Sequence, residues 1–120
     1  WEDRLLVNEP AMRPTNTGHW TQDGSVTSQF EQHLRAVLDL PLGVTRPFAP
    51  WAVMVNVLGG PAEGGLAERV PAAMAAHPGV KIHLYGKDPR PGRKVGHVNT
   101  AGDELDEVAY EARAAAAHFA

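Results

Sequence analysis

The residue pattern predicts a mixed chain of the α+β class. Three observations carry this. Phe30, Leu34, Val37 and Leu38 fall at helical spacing behind a Ser28/Glu31 capping pattern. Ala52 to Leu58 is a short, β-branched run closed by Gly59-Gly60. Val80 to Tyr85 and Lys94 to Val98 each alternate apolar and polar residues on either side of a turn rich in proline and glycine, which predicts an antiparallel hairpin.

Taken in order, Leu5-Leu6-Val7 follows Glu2-Asp3-Arg4 and reads as a buried strand entered from a polar turn. Pro10 and Pro14 then remove two ladder donors, so the stretch suits an edge strand running into a loop. Gln22-Asp23-Gly24 is a turn. A helix is expected over 27–40, stopped by Pro41. Residues 42–50, punctuated by Pro41, Pro47 and Pro50, suit a linker. A strand is expected over 52–58 and a helix over 66–77, with Pro71 as an objection inside it. Pro78-Gly79 turns into the hairpin, whose second strand is expected over 94–100. An alanine-rich helix over 103–119 closes the chain.

Composition narrows the function classes. The 120 residues are 43% hydrophobic and 21% charged, which fits a globular chain. The net charge of -3 supplies no general basic field for nucleic acid. The absence of cysteine excludes disulfides and zinc–thiolate sites and is compatible with a cytoplasmic location. No run reaches the roughly 20 apolar residues of a membrane helix. The chain starts at Trp1 and is expected to be an excerpt of something longer.

Two polar clusters stand out. The turn between the hairpin strands gathers Lys87, Arg90, Arg93 and Lys94 against Asp88. Like charges close together repel, and an anion among them relieves the repulsion. Arginine forks and a lysine ammonium suit a phosphate. A solvated basic turn is the plain alternative; the acidic chain and the second cluster favour a small anionic ligand. That second cluster is Glu9 and Arg13, with Asn16 and His19 behind. In an extended backbone Glu9 and Arg13 share a face, about 13 Å apart at roughly 3.3 Å per residue. A carboxylate there suits magnesium shared with nucleotide phosphates; a weak surface ion pair is the alternative. His19 reads as structural, and His33 and His77 as solvated. None of the six histidines forms an HxH or HExxH pair.

Both clusters match one family. Asn8-Glu9-Pro10-Ala11-Met12-Arg13-Pro14-Thr15-Asn16-Thr17-Gly18-His19-Trp20-Thr21 resembles the NE-x-A-x-RPHNSGHWT motif of 5-(carboxyamino)imidazole ribonucleotide synthases, ATP-grasp enzymes of purine biosynthesis. Ser28 to Ala36 is similar to their SQFEQHLRA segment, and Tyr85 to His97 to their YGK-x-x-RPGRK-x-GH signature. The resemblance implies the end of an ATP-grasp domain over 1–45 and a small C-terminal domain over 46–120. It implies ATP-dependent carboxylation of 5-aminoimidazole ribonucleotide with bicarbonate, by a homodimer that uses ATP and Mg2+. By position, Asn8 and Glu9 would face ATP, with Glu9 the metal ligand. Arg13 and Lys87 would be the catalytic residues, and Arg13, Thr15, Lys87, Arg90 and Arg93 would bind the substrate. The clamp would work by positioning and charge.

Thr15 departs from that family's histidine, and threonine is no base at neutral pH. The glycine-rich lid over ATP and the other magnesium carboxylate are missing from these 120 residues, which alone are expected not to turn over ATP. A non-catalytic phosphate-binding module is the alternative reading. A nucleic-acid binder is disfavoured by the net charge. The working expectation is that the basic turn folds back toward the Asn8-Glu9 segment, so that one small anion touches both.

Overall fold

The computed structural model describes residues 5–61 and 63–120. After a short 3-10 turn, Asn16–Gly18, come α1 (Thr21–Gly24), α2 (Gln29–Val37), β1 (Trp51–Leu58), α3 (Leu66–Ala76), β2 (Lys81–Leu84), β3 (Lys94–Gly102) and α4 (Leu105–Ala117). The three strands form one antiparallel sheet in the order β1-β3-β2. The expected hairpin is β2–β3, and β1 adds on the far side of β3.

Strand alternation gives the sheet two unlike faces. Val53, Val55 and Val57 of β1, Ile82 and Leu84 of β2 and Val98 of β3 share one apolar core with Leu66, Val70 and Ala73 of α3, Ala112 and Ala115 of α4 and Phe119 just after it. The buried positions of α4 (Val108, Ala112 and Ala115) recur at helical spacing, and their small size lets the helix lie close to the sheet. Val57 pairs with Gly96 but Leu58 pairs with Lys94, so Val95 is skipped. This bulge allows Val95 and Val98 to enter the same core.

The other face carries Asn56, His83, His97 and Asn99 and receives the N-terminal segment. Asn16 Nδ2 donates to Asn56 Oδ1 at 2.9 Å. Asn99 Nδ2 donates to the His19 carbonyl at 3.0 Å. The molecule is therefore layered as helices, sheet and N-terminal segment.

Several expectations are corrected. Leu5-Leu6-Val7 is not a strand: these residues are 103%, 77% and 90% exposed. Without a neighbouring strand the backbone has no ladder partner. Glu2-Asp3-Arg4 lies outside the described residues. Ser28 Oγ does accept from the Glu31 N–H at 3.2 Å, so α2 starts as the capping pattern predicts. It ends earlier than Pro41 requires. Asp39 adopts φ 55°, and the Asp39 and Leu40 N–H groups bond back to the Ala36 and Arg35 carbonyls at 3.3 and 2.8 Å. That is a Schellman stop with aspartate in the usual glycine position. β3 runs to Gly102 because it goes on pairing with β1 as far as Trp51. Pro71 lies inside α3, which continues through it. The stretch expected as a linker returns to the N-terminal segment: the Phe48 N–H donates to the Gly24 carbonyl at 2.9 Å and the Val26 N–H to that of Arg46 at 3.0 Å. No helix among the described residues is long and apolar enough to cross a membrane.

Candidate functional site

The basic turn is built by two close backbone approaches. Leu84 pairs with Gly96 at the end of the hairpin, and a Cβ on Gly96 would lie 2.6 Å from the His83 carbonyl oxygen. Only glycine lets the strands meet there. The loop is then held against the turn after β1: the Arg90 N–H donates to the Gly59 carbonyl at 3.1 Å, and the Gly59 N–H to that of Arg93 at 2.8 Å. Of the four cations, Lys94 reaches the N-terminal segment, donating to Asn16 Oδ1 at 3.2 Å. Arg93 folds back to the Asp88 carbonyl at 3.3 Å. Lys87 Nζ lies 5.4 Å from the Tyr85 ring centroid. Arg90 is exposed and borders a cavity of about 230 Å³ with Gly59, Gly60, Pro61, Pro89 and Pro91. Among the described residues none of the four forms an ion pair.

Asn8 and Glu9 are exposed in an irregular segment, and no hydrogen bond or ion pair among the described residues joins them to the basic turn. Arg13 donates to the Pro14 carbonyl at 3.3 Å. With Thr15 it borders a largely apolar groove of about 580 Å³ against α2, which Lys87, Arg90 and Arg93 do not line. His33, read as solvated, is half-buried in that groove. Glu9 offers one carboxylate. Among the described residues no three His, Asp or Glu side chains gather as a metal site, so they do not hold Mg2+ unaided.

Between the clusters lies a polar layer that the motifs alone did not disclose. The His97 ring stacks on those of His83 at 4.6 Å and His19 at 5.0 Å, and His19 stacks on Phe30 at 5.4 Å. His97 Nδ1 meets the Tyr85 hydroxyl at 2.7 Å. Asp23 Oδ2 accepts from His83 Nε2 at 2.6 Å and from Asn99 Nδ2 at 2.7 Å. Gln29 Oε1 accepts from the Thr15 N–H at 3.0 Å, and its Nε2 lies 2.7 Å from the Thr15 carbonyl and 2.8 Å from His19 Nδ1. Gly18 keeps this space clear, since a Cβ there would land on the Gln29 amide.

Burial holds the His97 imidazole down to about 4; His83 and His19 push the same way, and Asp23 opposes them. Burial, then His83 and Lys94, lower His19. Burial raises the Tyr85 hydroxyl. His19 is structural, as expected, but His77, read as solvated, is half-buried and bonded to Glu111 at 2.7 Å. The signal that could have found this layer was the polar alternation of His83, His97 and Asn99 on two paired strands.

The ATP-grasp domain family matches residues 1–30, and the phosphoribosylaminoimidazole carboxylase C-terminal domain family matches residues 52–111. An N5-carboxyaminoimidazole ribonucleotide synthase of Mycobacterium leprae is 59% identical over 107 residues, 85% of this chain and 24% of the relative. The crystal structure of a phosphoribosylaminoimidazole carboxylase ATPase subunit from Aquifex aeolicus superimposes with a TM-score of 0.78 at 42% identity, covering 98% of this chain and 34% of that one. An N5-carboxyaminoimidazole synthase from Aspergillus clavatus, in complex with ADP and 5-aminoimidazole ribonucleotide, gives 0.67 at 31% identity over 87% of this chain and 28% of that one. The chain thus spans about a quarter of the length of the curated relatives it matches.

Proposed function

The chain belongs to the phosphoribosylaminoimidazole carboxylase C-terminal domain family, with ATP-grasp sequence ahead of that domain, and from this premise we propose that it serves the ATP-dependent carboxylation of 5-aminoimidazole ribonucleotide by bicarbonate. In this reading it is the C-terminal part of a ligase and does not act alone. Lys87, Arg90 and Arg93 hold the ribonucleotide, chiefly its phosphate. Arg13 balances charge on the carboxyphosphate and substrate, with Thr15 beside it. Asn8 and Glu9 face ATP, Glu9 giving one oxygen to Mg2+. The division falls at 45/46, between the two matched stretches.

The observation that carries the reading is the basic turn, whose four cations form no ion pair among the described residues, joined by Lys94 to Asn16 of the segment that bears Arg13. The Aspergillus clavatus relative, described with ADP and 5-aminoimidazole ribonucleotide, supports the choice of ligand. A cytoplasmic homodimer belongs to the same proposal. Leu34 and Val37 of α2, followed by Leu38, Leu42, Val44 and Phe48, are each at least 59% exposed, apolar surface for a second copy or for further chain to cover.

Thr15, in place of the family's histidine, favours one second reading, a phosphate-ligand module without catalysis. Two measurements decide. Calorimetry on this chain should show 5-aminoimidazole ribonucleotide binding, weakened about tenfold by Lys87→Met or Arg93→Met, a charge-assisted contact of about 1.4 kcal/mol. The Aquifex aeolicus enzyme carrying this segment in place of its own should then hydrolyse ATP in response to the ribonucleotide. Binding without that response supports the module; binding indifferent to both substitutions defeats both readings.

A further inference from the structure

We propose that Tyr85 is a positioning residue for Lys87: its ring, tied down by His97, is the seat from which the Lys87 ammonium meets the anion. The proposal rests on the reading of Lys87 as a ligand of the ribonucleotide phosphate. Lys87 Nζ is 5.4 Å from the Tyr85 centroid, inside the roughly 6 Å over which a ring face attracts a cation. Among the described residues Lys87 has no hydrogen bond or ion pair. Gly86, between the two, has φ +63° and nothing within 4 Å of where a Cβ would lie, so no neighbour braces the backbone there. The ring is what restricts the lysine.

The ring is itself fixed. Its hydroxyl lies 2.7 Å from His97 Nδ1, and His97 is 2% exposed. The His83 and His19 rings both stack on the His97 ring, and His19 also presents edge-on to Tyr85 at 6.2 Å. The Tyr85 N–H donates to the Val95 carbonyl at 2.9 Å, which sets the tyrosine in hairpin register with the histidine twelve residues on. A long, solvated lysine loses rotamer freedom when it binds an anion, and a seat in the free protein removes part of that loss. This gives the tyrosine and the histidine of the Tyr85-to-His97 signature a job that the substrate contacts leave unassigned.

The test is a double-mutant cycle on the full chain, titrated calorimetrically with ribose 5-phosphate, together with the NMR shifts of the Lys87 side-chain methylenes. Lys87→Met should weaken binding about tenfold. Tyr85→Leu should weaken it about threefold with Lys87 present and by almost nothing beside Lys87→Met. Tyr85→Phe, which keeps the ring and guards against misfolding, should fall between wild type and Tyr85→Leu. The Lys87 methylenes should be ring-shifted in the wild type and return to random-coil positions in Tyr85→Leu. An equal loss from Tyr85→Leu in both backgrounds, or random-coil Lys87 shifts in the wild type, overturns the proposal. If Lys87→Met leaves binding unchanged, the anion-site reading falls, and the ring shifts alone decide whether the seat stands.

Discussion

Asp23 and His83, sixty residues apart, meet at 2.6 Å and fasten the N-terminal segment to the sheet. The same Asp23 oxygen accepts from Asn99, so one carboxylate serves two donors, and Asp23 and His83 are each less than a quarter exposed at the side chain. Asp23→Ala leaves both donors without their acceptor. We expect a loss of about 2 kcal/mol, the usual penalty for stranding a group bonded to a charge. In a chain of this size that lowers Tm by on the order of 10 °C. Thermal unfolding of Asp23→Ala and Asp23→Asn measures it; Tm values within 2 °C of wild type would mean the contact is ornamental.

Stability should fall with acid before the carboxylates titrate. His97 is held at about 4 by burial, against about 6.5 in an unfolded chain. The unfolded state therefore binds the proton first. The contribution is complete above about pH 6.5 and is lost as pH falls toward 4, at up to about 1.4 kcal/mol per pH unit. His19, also lowered, steepens the slope. The groups facing His97 are His83, His19 and Tyr85, with Asp23 opposing the shift. Urea midpoints at pH 7, 6 and 5 should drop in order, and His97→Gln should flatten much of that fall. A midpoint unchanged over this range would contradict the assignment.

What the sequence disclosed follows from which forces are local. The Ser28 cap, the hairpin and the alanine spacing of α4 depend on neighbours within a few residues, and all three are present. Leu5-Leu6-Val7 reads as a strand only if another strand lies beside it, and none does among the described residues. The basic turn was legible as charge, but the seat of Lys87 on Tyr85 depends on His97, which reaches it only through strand register. The His19–His97–His83 stack joins residues from the 3-10 turn region, β3 and β2, and no spacing rule along the chain connects them. The role proposed for Thr15 rests on resemblance alone, whereas Glu9 and Arg13 already stood out by residue type and spacing.

The early end of α2 offers a stabilising change. Asp39 is exposed and sits at φ 55°, where a side chain crowds its own backbone and glycine does not. Asp39→Gly keeps both Schellman bonds and should gain about 0.5 kcal/mol, the relieved strain being partly offset by a more flexible unfolded chain. Chemical denaturation reads this directly, and a destabilised Asp39→Gly would show that the aspartate has a favourable role at this position.

Gln29 is the residue on which the placement of Arg13 and Thr15 depends. Its side-chain amide engages both the N–H and the carbonyl of Thr15 and also reaches His19, while its own backbone N–H donates to Thr21 Oγ1 at 2.9 Å. A single amide thus stands in for a neighbouring strand beside a segment that has none among the described residues. Gln29→Leu keeps most of the volume and removes the polar contacts, so the Thr15 N–H and carbonyl must find water. We expect about 1–2 kcal/mol of destabilisation and, more tellingly, faster amide exchange at Thr15 with β3 still protected. Since Arg13 is two residues upstream, the role proposed for it predicts that ribonucleotide-stimulated ATP hydrolysis by the Aquifex aeolicus enzyme carrying this segment should fall by about tenfold or more, because a small misplacement of a clamping group is costly. Unchanged exchange at Thr15 in Gln29→Leu would show that the groove, and not the glutamine, holds the segment.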